Sequence, residues 1–181
     1  MKKILLPLFL VGTVTMMVIM AQTSALLKTP AAPMGIINLE LANTIVKTNA
    51  ILNSWAPTTT TDKIETAKIN TYNDFLFLFF YAGFLFLLCK TIAANIDGVF
   101  KKAGRILATA TLLAGFCDVL ENIGILFSLN QLISPVVSFC TALFSVIKWG
   151  LVTIAILYAV FGLLVLAYRK INSRRWTQPL C

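Results

Sequence analysis

The sequence predicts an all-α membrane protein with four transmembrane helices and an amphipathic extramembrane helix in its first loop. Three observations carry that expectation. Four apolar runs are each long enough to cross a hydrocarbon core of about 30 Å. Charged residues make up only 12% of the 181 residues, against about 25% in an average soluble domain. The mean hydropathy is +0.87, with 59% of residues hydrophobic. The length suits a single membrane domain spanning residues 1–181.

The first span covers residues 4–27 and follows Met1-Lys2-Lys3. Small residues around Ala21 to Ala25 resemble a signal-peptide cleavage site, but a signal core is usually about 7–15 residues, shorter than this run. The expectation is a retained helix, with cleavage as the alternative. Residues 28–72 form the one long connection. The breakers Pro30, Pro33 and Gly35 end the first helix. Residues 36–55 then read as one amphipathic helix. Leu39, Leu41, Ala42, Ile45, Val46, Ala50 and Leu52 fall on one side, and Glu40, Asn43, Thr44, Lys47 and Thr48 on the other. Such a helix lies on the membrane surface or caps the bundle. Pro57 and the threonines through Thr61 end it. Thr61 or Asp62, with Glu65 following, serves as the cap of the next helix.

The second span covers residues 73–96 and is dense in phenylalanine, with Phe75, Phe77, Phe79, Phe80, Phe84 and Phe86. The turn at residues 95–98 and a basic group ending at Arg105 lead to the third span, residues 106–127. The fourth run, residues 136–168, is about 50 Å long as a helix, more than the hydrocarbon needs. Its first third is therefore expected outside the hydrocarbon, with Lys148 and Trp149 as an interfacial pair whose ammonium snorkels outwards. Residues 169–181 form a polar tail.

Orientation follows from charge. Ten of the 15 basic residues lie at the two termini and around the 97–105 turn, whereas the long loop holds Lys28, Lys47, Lys63 and Lys68. The positive-inside rule puts both termini in the cytoplasm of a multi-pass protein of the inner (plasma) membrane. The net charge of +8 marks this orientation and no nucleic-acid partner, because no basic face or aromatic-basic motif accompanies it.

The third span carries the clearest local signal. Gly104, Ala108, Thr111, Gly115, Asp118 and Asn122 follow one another at intervals of four and three, a continuous seam of small or polar residues. Ala110, Ala114, Cys117, Glu121 and Gly124 form a second seam beside it. Small residues let helix backbones approach closely in lipid, so this side faces protein and the large apolar side faces lipid. Asp118 and Glu121 each cost about 2.5–3.5 kcal/mol near a bilayer centre, which the span's eleven Leu, Ile, Phe and Val residues only just offset. The carboxyls need partners. Depths counted at about 1.5 Å per residue place Asp118 and Glu121 about 18 and 22 Å from the cytoplasmic end, with Asp74 and Lys148 near the outer boundary. A lysine bridges such a gap, and Tyr81 shares a face with Asp74. The expected polar cluster is Asp74, Tyr81, Asp118, Glu121, Asn122 and Lys148. Its two readings are a structural network that sets helix register and a site for protons, ions or a lipid headgroup.

The four cysteines form no C-x-x-C pair and read as packing residues. The chain has no histidine, and no catalytic, metal-binding or cofactor-binding signature stands in it.

Asp118-x-x-Glu121-Asn122 in the third span, Glu40-Leu41-Ala42, Trp55 ending the loop helix, and Asp74-Phe75-Leu76-Phe77 followed by Tyr81 together resemble an uncharacterised bacterial family of four-helix integral membrane proteins. The resemblance covers most of residues 36–150 and implies a fold and a membrane setting, without an activity. The expected function is a non-enzymatic accessory or self-associating membrane subunit, its partners being the lipid bilayer and a membrane protein or further copies of itself. The alternative is a small proton- or cation-coupled carrier or channel using Asp118 and Glu121.

Overall fold

A computed structural model describes residues 2–56 and 62–175. The expected helix stop at Pro57 to Thr61, the alternative cap at Thr61 and the end of the tail, with Cys181, lie outside these residues. Six helices follow in order: α1 (Lys2–Leu26), α2 (Ile36–Glu40), α3 (Ile45–Ser54), α4 (Lys63–Ala94), α5 (Gly98–Leu129) and α6 (Pro135–Arg175). Of these, α1, α4, α5 and α6 are long and apolar enough to cross a membrane. The protein is all-α, with four helices of membrane-spanning character.

The long helices outrun the hydropathy boundaries. α4 begins at Lys63, ten residues before the apolar span, because Asp62 caps it as expected: the side chain accepts a hydrogen bond from the Glu65 backbone at 3.0 Å. α5 begins at Gly98 and not at residue 106, carrying Lys101, Lys102 and Arg105 within the helix. Charge limits which part of a helix lipid accepts, but it does not end the backbone hydrogen-bond ladder. At 32 residues each, α4 and α5 are about 48 Å long, well beyond the hydrocarbon thickness.

The helices alternate in direction, as their contacts show. The Phe9 ring on α1 packs on Phe79 and Phe80 of α4, at 5.4 and 5.9 Å between centroids. Further along α1, Met20 and Thr23 meet Asn70, nearer the start of α4. Asp74 of α4 meets Asn122 of α5, and Tyr81 meets Asp118. Lys148 of α6 meets Glu121, and Tyr158 reaches the Phe100 carbonyl. The two ends of the described chain and the turn at residues 95–97 therefore share one end of the bundle.

α5 is the central helix. Its first seam is buried from Gly104 to Asn122 and faces α4, and its second brings Ala114, Cys117 and Glu121 into the interior. Glycine makes this closeness feasible: a Cβ at Gly104 would run into Tyr158, and one at Gly124 into Thr141. Leu112, Leu113, Phe116 and Ile123 point outward and are well exposed. By contrast α1 packs against α4, and no comparable contact joins it to α6.

The other end of the bundle is closed by a cap made of α2, α3 and the chain around them. The expected single helix over residues 36–55 is corrected to two helices. Residues 41–44 are not helical, and Thr44 adopts an extended conformation and caps α3 by accepting a hydrogen bond from the Lys47 backbone. This break changes the phase of the stripe. Thr48, Ile51, Leu52 and Trp55 turn inward, whereas Val46 is 78% exposed. Thr48 and Glu40, both expected on the wet side, are buried. Thr48 is accommodated by a hydroxyl–hydroxyl bond to Ser138 at 3.0 Å. Trp55 is fully buried, its indole N–H donating to the Leu27 carbonyl at 2.7 Å, among Leu27, Leu39, Leu52, Ile125 and Leu129. Gly35 makes the sharp entry to α2 at φ 66°, beside the Ser24 backbone, where any side chain would be strained and would collide.

Candidate functional site

The cluster lies just beneath the cap, where α2, α4, α5 and α6 converge. Lys148 is its centre. The ammonium donates to Asp118 Oδ1 at 3.0 Å and to Glu121 Oε1 at 2.9 Å, with Glu121 Oε2 at 2.8 Å. Tyr81 donates its hydroxyl to Asp118 Oδ2 at 2.7 Å, so both oxygens of that carboxylate are engaged. Asn122 donates to Asp74 Oδ2 at 2.8 Å. All six residues expected from the sequence are buried, and Glu121 has no exposed surface.

The sequence-based depths need correcting. Lys148 neither snorkels nor sits at a boundary above the acids. It is level with Asp118 and Glu121 and only 6% exposed. Counting from residue 106 started eight residues late, because α5 begins at Gly98. Tyr81 is likewise level with Asp118, and Asp74 with Asn122, one helical repeat nearer the cap.

Glu40 is the residue that sequence reasoning missed. Its Oε2 stands 3.7 Å from Lys148 Nζ, near enough to attract the ammonium and too far for a hydrogen bond. Assigning residues 36–55 to one continuous helix put Glu40 on the polar side. The signal that could have found it is Thr44 followed three residues later by an amide-donating helix start, which marks a cap and hence a break.

The charge count is uneven. Three carboxyl groups, from Glu40, Asp118 and Glu121, stand within 4 Å of one ammonium, and a fourth, Asp74, is held nearby by Asn122. Burying unmatched charge is costly, so the balance is closed by protons or by a cation. Among the described residues, no group of three or more histidines, cysteines, aspartates and glutamates is arranged to hold a metal ion. Cys89 and Cys117 are buried free thiols away from the cluster's hydrogen bonds, and Cys140 is half-buried.

A cleft of about 560 Å³ leads to this cluster. α1 and α6 form its walls, α4 its floor and α2 its roof. Glu40, Asn70, Asp74, Tyr81, Asp118 and Lys148 line its inner end, and the remaining surface is mostly apolar. Trp149 stands at the rim, its ring 5.4 Å from the Lys148 ammonium, close enough for a cation–π contact. No protein-family model, curated protein or solved structure matches the chain, so a functional reading rests on this geometry.

Proposed function

We propose that the chain is a small non-enzymatic carrier of the inner (plasma) membrane, with both termini cytoplasmic, in which the buried carboxyl groups take up and release a proton or another cation. One observation carries this reading above a purely structural ion network: Glu40, Asp118 and Glu121 share the one Lys148 ammonium, and a fourth carboxyl, Asp74, lines the same open cleft with only Asn122 bonded to it. A network serving register alone is stabilised by pairing each charge and excluding solvent, and half-satisfied versions are destabilising. The cluster offers a cation and hydrogen-bond acceptors, without a nucleophile beside a base, which supports binding over catalysis. The concentration of basic residues at the two termini and the 97–105 turn supports the orientation. The packing of α1 on α4 through Phe9, Gly12 and Thr23 supports a retained first helix.

The accessory-subunit reading keeps one supporting observation. α1 packs mainly on α4 and leaves much of its circumference uncovered, which suits lipid or a membrane-protein partner. The loop helix contributes less to it, because the apolar stripe of α3 is covered by this chain's own bundle.

The double variant Asp118→Asn, Glu121→Gln tests the carrier reading in proteoliposomes. The expected outcome is a normally folded, monodisperse protein whose pH-driven cation flux is lost. Flux equal in variant and wild type, or wild-type protein without any flux, removes the reading. If a defined membrane protein then copurifies with the wild type in mild detergent, the accessory reading takes its place.

A further inference from the structure

The cleft opens sideways. Its walls, α1 and α6, lack a direct packing contact comparable to those between the other neighbours, so the gap between them faces the region where lipid chains lie. Val14 and Met17 on α1, Phe77 and Phe84 on α4, and Val152 and Ile156 on α6 make this passage apolar. Its volume of about 560 Å³ is in the range of about 300–1,000 Å³ usual for small-molecule sites.

The inner end is short of donors. Asn70 commits its amide N–H groups to the Met20 carbonyl and to Thr23 Oγ1, at 3.1 and 2.5 Å, which leaves Oδ1 without a partner. Glu40 Oε2 also lacks a hydrogen bond. Both residues line the cleft, and both are more than nine-tenths buried. Lys148, the one cationic side chain lining the cleft, is already held by Asp118 and Glu121. An unsatisfied buried acceptor is destabilising, and here two residues carrying such acceptors line the same cleft beside excess negative charge, Glu40 Oε2 having only the 3.7 Å approach to Lys148.

Resting on the reading of the cluster as a cation site, we infer that the cleft binds a long-chain primary amine, its alkyl chain lying between α1 and α6 and its ammonium at Glu40, Asn70 and Asp74. The ammonium supplies three N–H donors and one positive charge, which are what the inner end lacks. The chain replaces lipid along Val14, Phe84 and Ile156. An anionic headgroup would instead meet Glu40 and Asp74, with a single, already engaged lysine to oppose them. A small hydrated cation would leave the apolar passage unfilled.

The full-length protein in phosphatidylcholine nanodiscs, with terminally brominated dodecylamine as probe, tests this. Trp149 at the rim reports occupancy through quenching by bromine, and Trp149→Phe identifies its share of the fluorescence. The amine is expected to half-saturate the quenching at a concentration at least about tenfold below that of brominated dodecanol, since a charge-assisted hydrogen bond separates them. Glu40→Gln is expected to weaken the amine about tenfold and leave the alcohol unchanged. Val14→Phe, which narrows the passage and keeps every charged group, is expected to weaken both and serves if Glu40→Gln does not fold. Equal quenching by amine and alcohol overturns the inference. Butylamine competing as well as dodecylamine, with Val14→Phe silent, overturns it too but leaves the carrier reading standing, because the cation then enters from water. Flux that is indifferent to Asp118 and Glu121 while the amine still binds overturns the carrier reading alone.

Discussion

The cap and the charged cluster lie next to each other at one end of the bundle and are assembled on opposite physical terms. In the cap, Trp55 is fully buried among leucines and isoleucines, and its one polar atom donates to the Leu27 carbonyl. Even the polar intruder Thr48 is matched, by Ser138. In the cluster, three carboxyl groups compete for one ammonium beside a fourth, Asp74, and Glu40 obtains only a 3.7 Å approach to it. Replacing a buried ion network with apolar side chains is often neutral or stabilising. The cap therefore accounts for how this end of the bundle is held, and the cluster is better understood through what it can bind.

Three substitutions separate the two regions, beginning with the largest effect. Lys148→Met removes the sole cation while leaving the acids buried, and is expected to destabilise the protein by about 3–5 kcal/mol. Helicity followed on heating in mild detergent measures this, and a wild-type transition would show that the ammonium is not what holds α5 to α6. Trp55→Ala is expected to cost about 3 kcal/mol. Hydrogen exchange should rise across residues 27–56 and stay unchanged in α5. Exchange rising equally in α5 would mean that cap and cluster form one cooperative unit. Tyr81→Phe removes one hydrogen bond to Asp118 and is expected to cost about 1.5 kcal/mol, read as a small downward shift of the same thermal transition. A drop as large as that of Lys148→Met would make Tyr81 an equal anchor of the carboxylate.

The sequence made the spanning helices and most of the cluster legible for a common reason: lipid penalises each exception to hydrophobicity so heavily that polar residues within an apolar run identify themselves. The seam from Gly104 to Asn122 faces α4 because only small or polar residues occupy it. The loop obeys weaker rules. In residues 36–55 a stripe of mixed side chains fits one helix or two, and the decisive feature is the local cap at Thr44. That break rotates α3 so that Thr48 is buried and Val46 exposed, and it leaves Glu40 at the end of α2, facing Lys148. The start of α5 was misplaced for a related reason. Hydropathy marks what lipid accepts, whereas the backbone of α5 begins to turn at Gly98, eight residues before the apolar run. The cleft was not legible at all, because it depends on α1 and α6 failing to meet, and a sequence pattern assigns faces without assigning neighbours.

The chain spacing of the Lys148 contacts sets an order on birth at the ribosome. Asp118 and Glu121 precede Lys148 by 30 and 27 residues, which at typical translation speeds is an interval of roughly 1.5 to 6 seconds. Throughout that interval the nascent α4–α5 hairpin carries Asp74, Asp118 and Glu121 without their counter-charge. α6 is thus the helix that completes the hairpin electrically as well as sterically, and a polypeptide stalled before residue 148 would present the insertion machinery with three acids and no lysine to receive them.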